Sequence, residues 1–168
     1  MIVFHGSITV VETPKILKAL RMLDFGEGFY ATSNKDQAIR WAQRNSEQKK
    51  TEKGYITEYD FDIAEAEKKL SIIRFNEPDE AWLDFVCSNR SGRIPDLSYD
   101  IAIGPVANDT VYTVVQLYEN GIFDKDEAIK RFKVRPLYDQ VLFHTERALS
   151  FCRYLSAEAI ERTDQGNG

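Results

Sequence analysis

The sequence predicts a single α+β domain, in which a split, mixed or antiparallel β-core is flanked by helices. The chain has 168 residues, 43% of them hydrophobic, which is enough for one proper core. Strand and helix patterns are mixed along the chain, without the even spacing that a doubly wound parallel sheet requires. We assign residues 1–162 to this domain and the polar, glycine-containing residues 163–168 to a disordered C-terminal tail.

Hydrophobic periodicity and capping residues predict the elements of the first third of the chain. Thr13 can cap a helix and Pro14 suits its first turn. Gly26 and Gly28 bracket a tight turn into a strand. In order, we predict a strand at 1–5, a helix at 13–22, a strand at 29–32, a helix capped by Ser33 or Asn34, and a solvated tail and loop at 43–53.

The remainder begins with Tyr55–Asp62, whose alternation of apolar and polar residues predicts a half-buried strand. Gly121 is a typical left-handed helix stop. In order, the further predicted elements are a loop with a helical turn at 63–69, a strand at 70–75, a helix from Glu77-Pro78, a loop at 89–96, a strand at 99–103, a helix capped by Asn108 or Asp109 and ending at 119, a helix from Asp124 to Lys133, a strand at 139–144, and a terminal helix capped by Thr145.

Charge and composition exclude several classes of function. The formal net charge is -5, which argues against a general binder of the nucleic-acid backbone. With two histidines and two cysteines, a metal site is not expected. No apolar run reaches about 18 residues, so no membrane association is expected. Cys87 and Cys152 lack metal-site spacing and predict reduced thiols in a cytoplasmic protein.

The first candidate site is His5-Gly6-Ser7, at the end of the first predicted strand. A lone histidine near a strand end is usually structural. The glycine beside it, however, lets a ligand approach the backbone, whose N–H and C=O can bind a planar amide. Ser7 adds a hydroxyl on the same rim. Both a structural and a binding role fit this segment.

The second candidate site is Gly28-Phe29-Tyr30, which leads through Thr32 towards Trp41. Successive strand residues point to opposite faces, so one aromatic ring of the pair can pack in the core while the other faces a cleft. The structural interpretation is a turn with two core aromatics. The functional interpretation is an aromatic wall on which a flat ring stacks, with Trp41 closing the other side. The glycine-rich fingerprint of a Rossmann fold is not met, because Gly26-Glu27-Gly28 precedes a strand instead of opening a helix.

The third candidate is Gln140, near the start of the last clear strand. A polar residue there is either a capping residue or a site residue, and the local sequence does not separate the two. The order and spacing of all three segments resemble the poly-ADP-ribose polymerase and diphtheria-toxin branch of the ADP-ribosyltransferases. The resemblance is closer still to small bacterial members of that superfamily and covers about residues 2 to 150.

This resemblance implies an ADP-ribosyltransferase-like fold and NAD as substrate. By the same resemblance, His5, Tyr30 and Gln140 are the catalytic residues. The residues implied to bind NAD are His5, Gly6, Ser7, Gly28, Phe29, Tyr30, Thr32 and Trp41. His5 would hold a ribose hydroxyl, the Gly6 backbone the nicotinamide carboxamide, and Tyr30 would stack on the nicotinamide ring.

The sequence departs from the family pattern at Gln140, where a glutamate is expected. A glutamine keeps the hydrogen bonds but has no charge and cannot act as a general base. The departure argues against chain-forming polymerase activity. The carboxylates considered as substitutes are Asp100, Asp109, Asp139 and Glu146. Arg90 is either a phosphate ligand or, as the sequence favours, a solvated surface arginine.

Three functions therefore stay open. The first is an NAD-dependent mono-ADP-ribosyltransferase acting on a protein or nucleic-acid acceptor, implied to be a bacterial toxin with a small antitoxin partner. The second is an NAD glycohydrolase, with water as the acceptor. The third is an inactive module that binds NAD or a partner protein, which Gln140 favours.

Overall fold

The computed structural model describes residues 1–17, 23–92, 98–106, 109–132 and 138–161. Strands and helices are mixed along the chain, which confirms the α+β prediction. The strands are β1 (Ile2–Ser7), β2 (Phe29–Ala31), β3 (Lys53–Phe61), β4 (Ile72–Arg74), β5 (Ile101–Pro105), β6 (Asp139–Phe143) and β7 (Cys152–Glu161). The helices are α1 (Lys35–Lys49), α2 (Ile63–Lys69), α3 (Glu80–Arg90), α4 (Asp109–Glu119), α5 (Lys125–Phe132) and α6 (Glu146–Leu149).

The strands form two sheets, as the prediction of a split core requires. One sheet has three antiparallel strands in the order β1-β3-β7. The other has four strands in the order β2-β6-β5-β4, of which only β4 and β5 are parallel. A two-residue bridge joins the sheets, since the Phe4 N–H donates to Thr32 O at 2.8 Å and the Thr32 N–H donates to Phe4 O at 3.0 Å.

Three apolar clusters define the layers. The first lies between the two sheets and includes the buried rings of Phe29, Tyr59 and Phe143. The second fills the space between the four-stranded sheet and helices α3, α4 and α5, with Trp82 fully buried. The third packs α1 against the three-stranded sheet. The layers are therefore α1, three-stranded sheet, four-stranded sheet, and the α3–α5 group.

The start of helix α1 is determined by its local sequence, and its end is determined by packing. The Asn34 side chain caps it by accepting the Gln37 N–H at 2.9 Å. The prediction of a solvated tail and loop from residue 43 is wrong, because the helix continues to Lys49. Ala42 and Ser46 are fully buried there, and this packing offsets the charged composition that suggested a loop.

The predicted helix at 13–22 is wrong over residues 13–17, which are not helical; residues 18–22 lie outside the described ranges. Backbone donors of this region bond to distant groups instead. The Val11 N–H donates to Thr57 Oγ1 at 3.3 Å, and the Ile16 N–H to Glu146 Oε1 at 3.1 Å. These bonds hold the segment along the surface and satisfy donors that a helix would otherwise use.

The predicted terminal helix is also wrong beyond its first turn. Thr145 caps α6 by accepting the Ala148 N–H at 3.2 Å, but α6 ends at Leu149 and strand β7 follows. Strand β7 pairs with β3 from Lys53 to Phe61. This long ladder of hydrogen bonds overrides the local helical propensity of Ala157, Glu158 and Ala159.

Smaller shifts affect other elements. Strand β1 runs to Ser7 instead of residue 5, and β5 starts at Ile101 and includes Pro105. Helix α3 begins at Glu80, after the cap Asp79 and three residues later than the predicted start at Glu77, and extends into the predicted loop. Asn108, Lys133 and the tail at 163–168 lie outside the described residues. Within the described ranges, no helix has the length and apolar character needed to span a membrane.

Candidate functional site

The bridge between the sheets brings the first two predicted segments together. Its two partners, Phe4 and Thr32, run antiparallel. The residues that follow Phe4 therefore lie beside those that precede Thr32, which places His5 and Gly6 next to Tyr30. The His5 Nδ1–H donates to Tyr30 O at 2.7 Å, across 25 positions of sequence. Strand pairing therefore determines this side of the site.

An open cavity of about 830 Å³ lies on this side of the bridge. Its volume is within the range of small-molecule sites. Five predicted site residues line it together: His5, Gly6, Tyr30, Trp41 and Gln140. The remaining lining residues are Leu23, Asp24, Arg44, Asn45, Gln48, Arg90, Val106, Tyr112, Gln116 and Glu119.

His5 is held in one tautomer. A carbonyl oxygen only accepts, so Nδ1 carries the proton that His5 donates to Tyr30 O. Burial lowers the pKa of His5, because desolvation disfavours the imidazolium. The ring packs on Phe29 with centroids 4.4 Å apart. His5 is therefore neutral and fixed, and Nε2 is the nitrogen with a lone pair for a ligand.

Gly6 is required by the close approach of helix α1. A Cβ on Gly6 would collide with Ala38 O and come within 2.8 Å of the Ala42 N. The sequence predicts ligand access as the reason for this glycine, whereas in the structure the space beside its Cα is filled by the helix. Gly6 still lines the cavity, and its carbonyl oxygen accepts the Asn45 Nδ2–H at 3.1 Å. Because residue 6 has no side chain, helix α1 packs directly against β1, and this close packing brings the helix to the cavity.

Tyr30 and Phe29 separate as the strand alternation predicts. Phe29 is buried between the sheets, with its ring centroid 5.8 Å from that of Tyr59. Tyr30 lines the cavity, and its hydroxyl donates to Gly26 O at 2.7 Å and accepts the Phe25 N–H at 3.2 Å. Desolvation by burial raises the pKa of Tyr30, so the phenol stays protonated. The hydroxyl thus ties the ring to the turn that precedes β2.

One face of α1 forms a second wall. Trp41, Arg44, Asn45 and Gln48 are spaced by three or four residues and all line the cavity. The sequence analysis identified only Trp41 of this set. Their helical spacing, starting from Trp41, was the signal that could have revealed the other three.

Gln140 lines the cavity although only 3% of its surface is exposed. Its Nε2–H donates to Pro105 O at 3.4 Å, which is a long hydrogen bond. Trp82 Nε1–H donates to the same oxygen at 3.0 Å. The side chain is therefore buried in the cavity wall and weakly held.

Four predicted NAD-binding residues do not line the cavity: Ser7, Gly28, Phe29 and Thr32. The Ser7 hydroxyl donates to Thr9 O at 2.6 Å in the turn after β1. A Cβ on Gly28 would collide with Leu142 and with Phe143 O, so this glycine permits close packing on β6. In the structure these residues lie in supporting positions around the cavity, and their direct contact with NAD stays a prediction.

Thr32 organises the turn into α1. Its hydroxyl donates to Asp139 Oδ1 at 2.9 Å and accepts the Asn34 N–H at 3.1 Å. Asp139 also accepts the Ser33 N–H at 3.0 Å. These bonds hold strand β2 and the cap of α1 against β6. Thr32 is fully buried at this position.

The proposed substitute carboxylates are elsewhere. Asp139 is committed to the Thr32 turn, Glu146 accepts the Ile16 N–H at 3.1 Å, and Asp100 accepts the Thr145 hydroxyl at 2.8 Å. None of the three lines the cavity, and the side chain of Asp109 lies outside the described part of the structure. The carboxylates that line it are Asp24 and Glu119.

Arg90 is buried in the cavity wall, so the interpretation as a solvated surface arginine is wrong. Its side chain is 11% exposed, and its Nε lies 3.5 Å from Asp24 Oδ1. The guanidinium carbon lies 4.1 Å from the centre of the Tyr112 ring. Among the described residues, its Nη1 has no hydrogen-bond partner, a condition that costs about 1–3 kcal/mol for a buried polar group and more for a charged one.

A third wall comes from helix α4, which the sequence analysis missed. Tyr112, Gln116 and Glu119 lie four and three residues apart, so they share one helix face, and all three line the cavity. The charges of the lining side chains balance, since two are cationic and two are anionic: Arg44, Arg90, Asp24 and Glu119. The sequence alone could not show that this face meets β1 and β2, because the contact depends on how the layers stack.

Residues 1–154 match the family model described as Protein of unknown function (DUF3990). The chain belongs to this family. No curated protein and no solved structure matches the chain significantly. The family region covers all of β1 to α6 and the start of β7, and therefore every cavity-lining residue.

Proposed function

We propose that this DUF3990 protein is an NAD-dependent mono-ADP-ribosyltransferase. One observation carries the proposal. His5, Gly6, Tyr30, Trp41 and Gln140 come from four different elements and line one cavity. These are the residues that resemble the family's functional positions, and their convergence is not required by the sequence spacing alone.

The state of His5 supports this chemistry. Its Nδ1–H is committed to Tyr30 O, so Nε2 is an acceptor that suits a ribose hydroxyl. Its lowered pKa keeps the ring neutral. A neutral ring does not repel the positively charged nicotinamide ring of NAD. The Tyr30 ring and the Trp41 ring supply aromatic surface for that same flat group.

The reaction proposed is a glycosyl transfer. The bond between the ribose carbon and the nicotinamide nitrogen breaks, and its electron pair leaves with nicotinamide, which departs neutral. The ribose carbon passes through an oxocarbenium-like state. A nucleophilic oxygen or nitrogen of the acceptor then bonds to that carbon and releases its proton. Gln140 offers hydrogen bonds to this state and no charge, which favours slow transfer of single units.

A non-catalytic NAD-binding module, or an NAD glycohydrolase, is the second candidate. The observation that favours it is the absence of a carboxylate at Gln140 together with the positions of Asp100, Asp139 and Glu146 outside the cavity. Water as acceptor would give free ADP-ribose. No acceptor would give binding without turnover.

The deciding experiment uses NAD labelled in its adenylate half, incubated with the purified protein and bacterial lysate. We expect nicotinamide release and label on a macromolecule, resolved by separate protein and nucleic-acid fractions. His5→Ala and Tyr30→Ala should abolish both. His144→Ala is the matched control, because His144 Nδ1 also bonds a backbone carbonyl, Glu27 O at 2.7 Å, but lies outside the cavity lining. Undiminished labelling with His5→Ala and Tyr30→Ala would refute the proposal.

The biological setting proposed with this activity is that of a cytoplasmic bacterial toxin restrained by a small antitoxin protein. The test is expression of the chain alone and together with the product of a small neighbouring gene. We expect growth arrest with the chain alone and recovery with the pair. His5→Ala should remove the arrest, and an arrest that persists in this variant would separate toxicity from the NAD site.

A further inference from the structure

Arg90 is a charged cavity residue to which the proposed glycosyl transfer gives no role. It is the last residue of α3 and is almost buried, yet it lines the same cavity as His5 and Tyr30. Two contacts fix its guanidinium: Asp24 near Nε and the Tyr112 ring against its face. The side chain is therefore positioned before any ligand arrives.

Part of the hydrogen-bonding capacity of this guanidinium is unused, at Nη1. A guanidinium carries five N–H donors, and the Asp24 contact at 3.5 Å involves Nε. Nη1 has no partner among the described residues. Arginine in this condition suits an anion with several oxygens, since two parallel N–H donors match a phosphate. The stacked Tyr112 ring leaves the edge of the guanidinium, where the N–H groups lie, for such a ligand.

We infer that Arg90 binds a phosphate of the dinucleotide that occupies this cavity. The inference rests on the proposed use of NAD and names the group that holds its diphosphate. The volume of about 830 Å³ spans the walls from β1, α1, α3 and α4, so one ligand can contact both the His5 side and the Arg90 side. A phosphate of a nucleic-acid acceptor is the competing ligand, and the chain's net charge of -5 disfavours it.

The test measures binding of ADP, NAD and nicotinamide to the wild type, Arg90→Lys and Arg90→Gln by calorimetry. We expect Arg90→Gln to weaken ADP and NAD by about ten-fold or more, the usual effect of losing a charged hydrogen bond, and to leave nicotinamide unchanged. The affinity of Arg90→Lys for ADP and NAD should lie between those of the wild type and Arg90→Gln, because lysine keeps the charge and loses the two parallel N–H donors. Arg40→Gln is the matched control and should not weaken ADP, because the Arg40 guanidinium also lies over a tyrosine ring, 4.6 Å from the centre of Tyr138, but does not line the cavity.

A second measurement needs no substitution and therefore does not depend on a variant that folds. The Nε–H resonance of Arg90 in the wild-type protein should shift when ADP is added and stay in place when nicotinamide is added. No shift with saturating ADP would overturn the inference. So would a variant Arg90→Gln that binds ADP normally while losing affinity for a short single-stranded oligonucleotide.

The outcomes separate this inference from the proposed function. If ADP binding requires Arg90 but the protein never consumes NAD, the phosphate site is supported and the proposed transferase activity is refuted. If Arg90→Gln consumes NAD with the wild-type KM, the transferase activity is supported and phosphate binding by Arg90 is refuted. If Arg90 only stabilised the fold, Arg90→Gln would be less stable and its relative affinities for ADP and nicotinamide would be unchanged. That result would also overturn the inference that Arg90 binds a phosphate.

Discussion

The Nδ1–H of His5 donates a 2.7 Å hydrogen bond to the carbonyl oxygen of Tyr30. This bond joins the two sheets beside the Phe4–Thr32 bridge. It fixes the tautomer of His5 and so leaves the lone pair on Nε2, the nitrogen to which we assign a ligand in the proposed function. The two residues that the sequence singled out are thus linked directly, through a side chain and a backbone oxygen.

Replacement of His5 by asparagine should separate folding from function. The asparagine Nδ2 lies near the position of the histidine Nδ1 and can keep the bond to Tyr30 O, whereas nothing replaces Nε2. We expect His5→Asn to lose less than about 1.5 kcal/mol of unfolding free energy and His5→Ala to lose about 2–3 kcal/mol, because alanine leaves the carbonyl unpaired. Urea denaturation measures this difference. Both variants should fail to release nicotinamide, and wild-type turnover by His5→Asn would contradict the role of Nε2.

The stability of the protein should depend on the protonation of His5. The pKa of His5 in the fold is lowered from 6.5 by desolvation. As pH falls below 6.5, the unfolded chain gains a proton that the folded protein does not, so the unfolding free energy decreases. Above 6.5 both states are neutral at His5 and the contribution is fully present.

Denaturation of the wild type and His5→Asn at several pH values checks this expectation. The difference between the two proteins isolates His5, since their other ionisable groups are the same. The wild type should lose stability relative to the variant from pH 6.5 downwards. Parallel curves from pH 7.5 to pH 5 would show that His5 is not held neutral.

Gly6→Ala should destabilise the protein more than the same substitution at a glycine with open space around it. Its Cβ would collide with Ala38 O in the backbone of α1, which cannot move without shifting the helix. We expect a loss of about 3 kcal/mol. The comparison variant is Gly121→Ala, where φ is +69 degrees and no described atom lies within 4 Å, and where about 1 kcal/mol is expected. Equal losses in thermal or chemical denaturation would argue against tight packing of α1 at Gly6.

Tyr30→Phe should loosen the turn at residues 25–26 and keep the aromatic wall. The variant loses the bond to Gly26 O and leaves the Phe25 N–H without its partner. We expect a loss of about 1–3 kcal/mol in unfolding free energy. Because the ring remains, affinity for nicotinamide should fall much less than in Tyr30→Ala. Calorimetry on both variants tests this, and equal losses of affinity would assign the effect to the hydroxyl instead.

Gln140→Glu should introduce the charge that the site lacks. Burial and the nearby Pro105 O will raise the pKa of this carboxyl above its ordinary value. The variant should therefore match the wild type in stability below about pH 4, the unfolded-state pKa of glutamate, and become less stable as pH rises through the raised value.

Its activity should follow the same ionisation in the opposite direction. Once the carboxylate forms, it can stabilise the positive charge of the departing sugar, and nicotinamide release should rise by about ten-fold or more. Measuring release from pH 5 to pH 9 in the wild type and the variant tests this. A variant that folds, binds NAD and shows no gain at any pH would argue that Gln140 lies away from the reacting carbon.

Part of the cavity lining could be predicted from the sequence. His5, Tyr30, Trp41 and Gln140 stood out because residue type and order matched a known pattern, and all four line one cavity. The α+β class and the caps Asn34 and Thr145 were also predicted correctly, since they depend on local periodicity and on short hydrogen bonds. Local interactions are encoded over a few residues, so the sequence by itself determines them.

Other features required the tertiary structure. Strand β7 forms because β3 offers it a full ladder of hydrogen-bond partners. Residues 13–17 are not helical, and the distant Glu146 accepts the Ile16 N–H there. Arg90 and the α4 face reach the cavity because the layers stack in one particular way. Contacts between residues far apart in sequence outweigh local propensity in each case. The sequence alone determined which residue types stand at the candidate positions. Packing and strand pairing decided which of them meet at the cavity, and they place Phe29 and Thr32 in the surrounding structure.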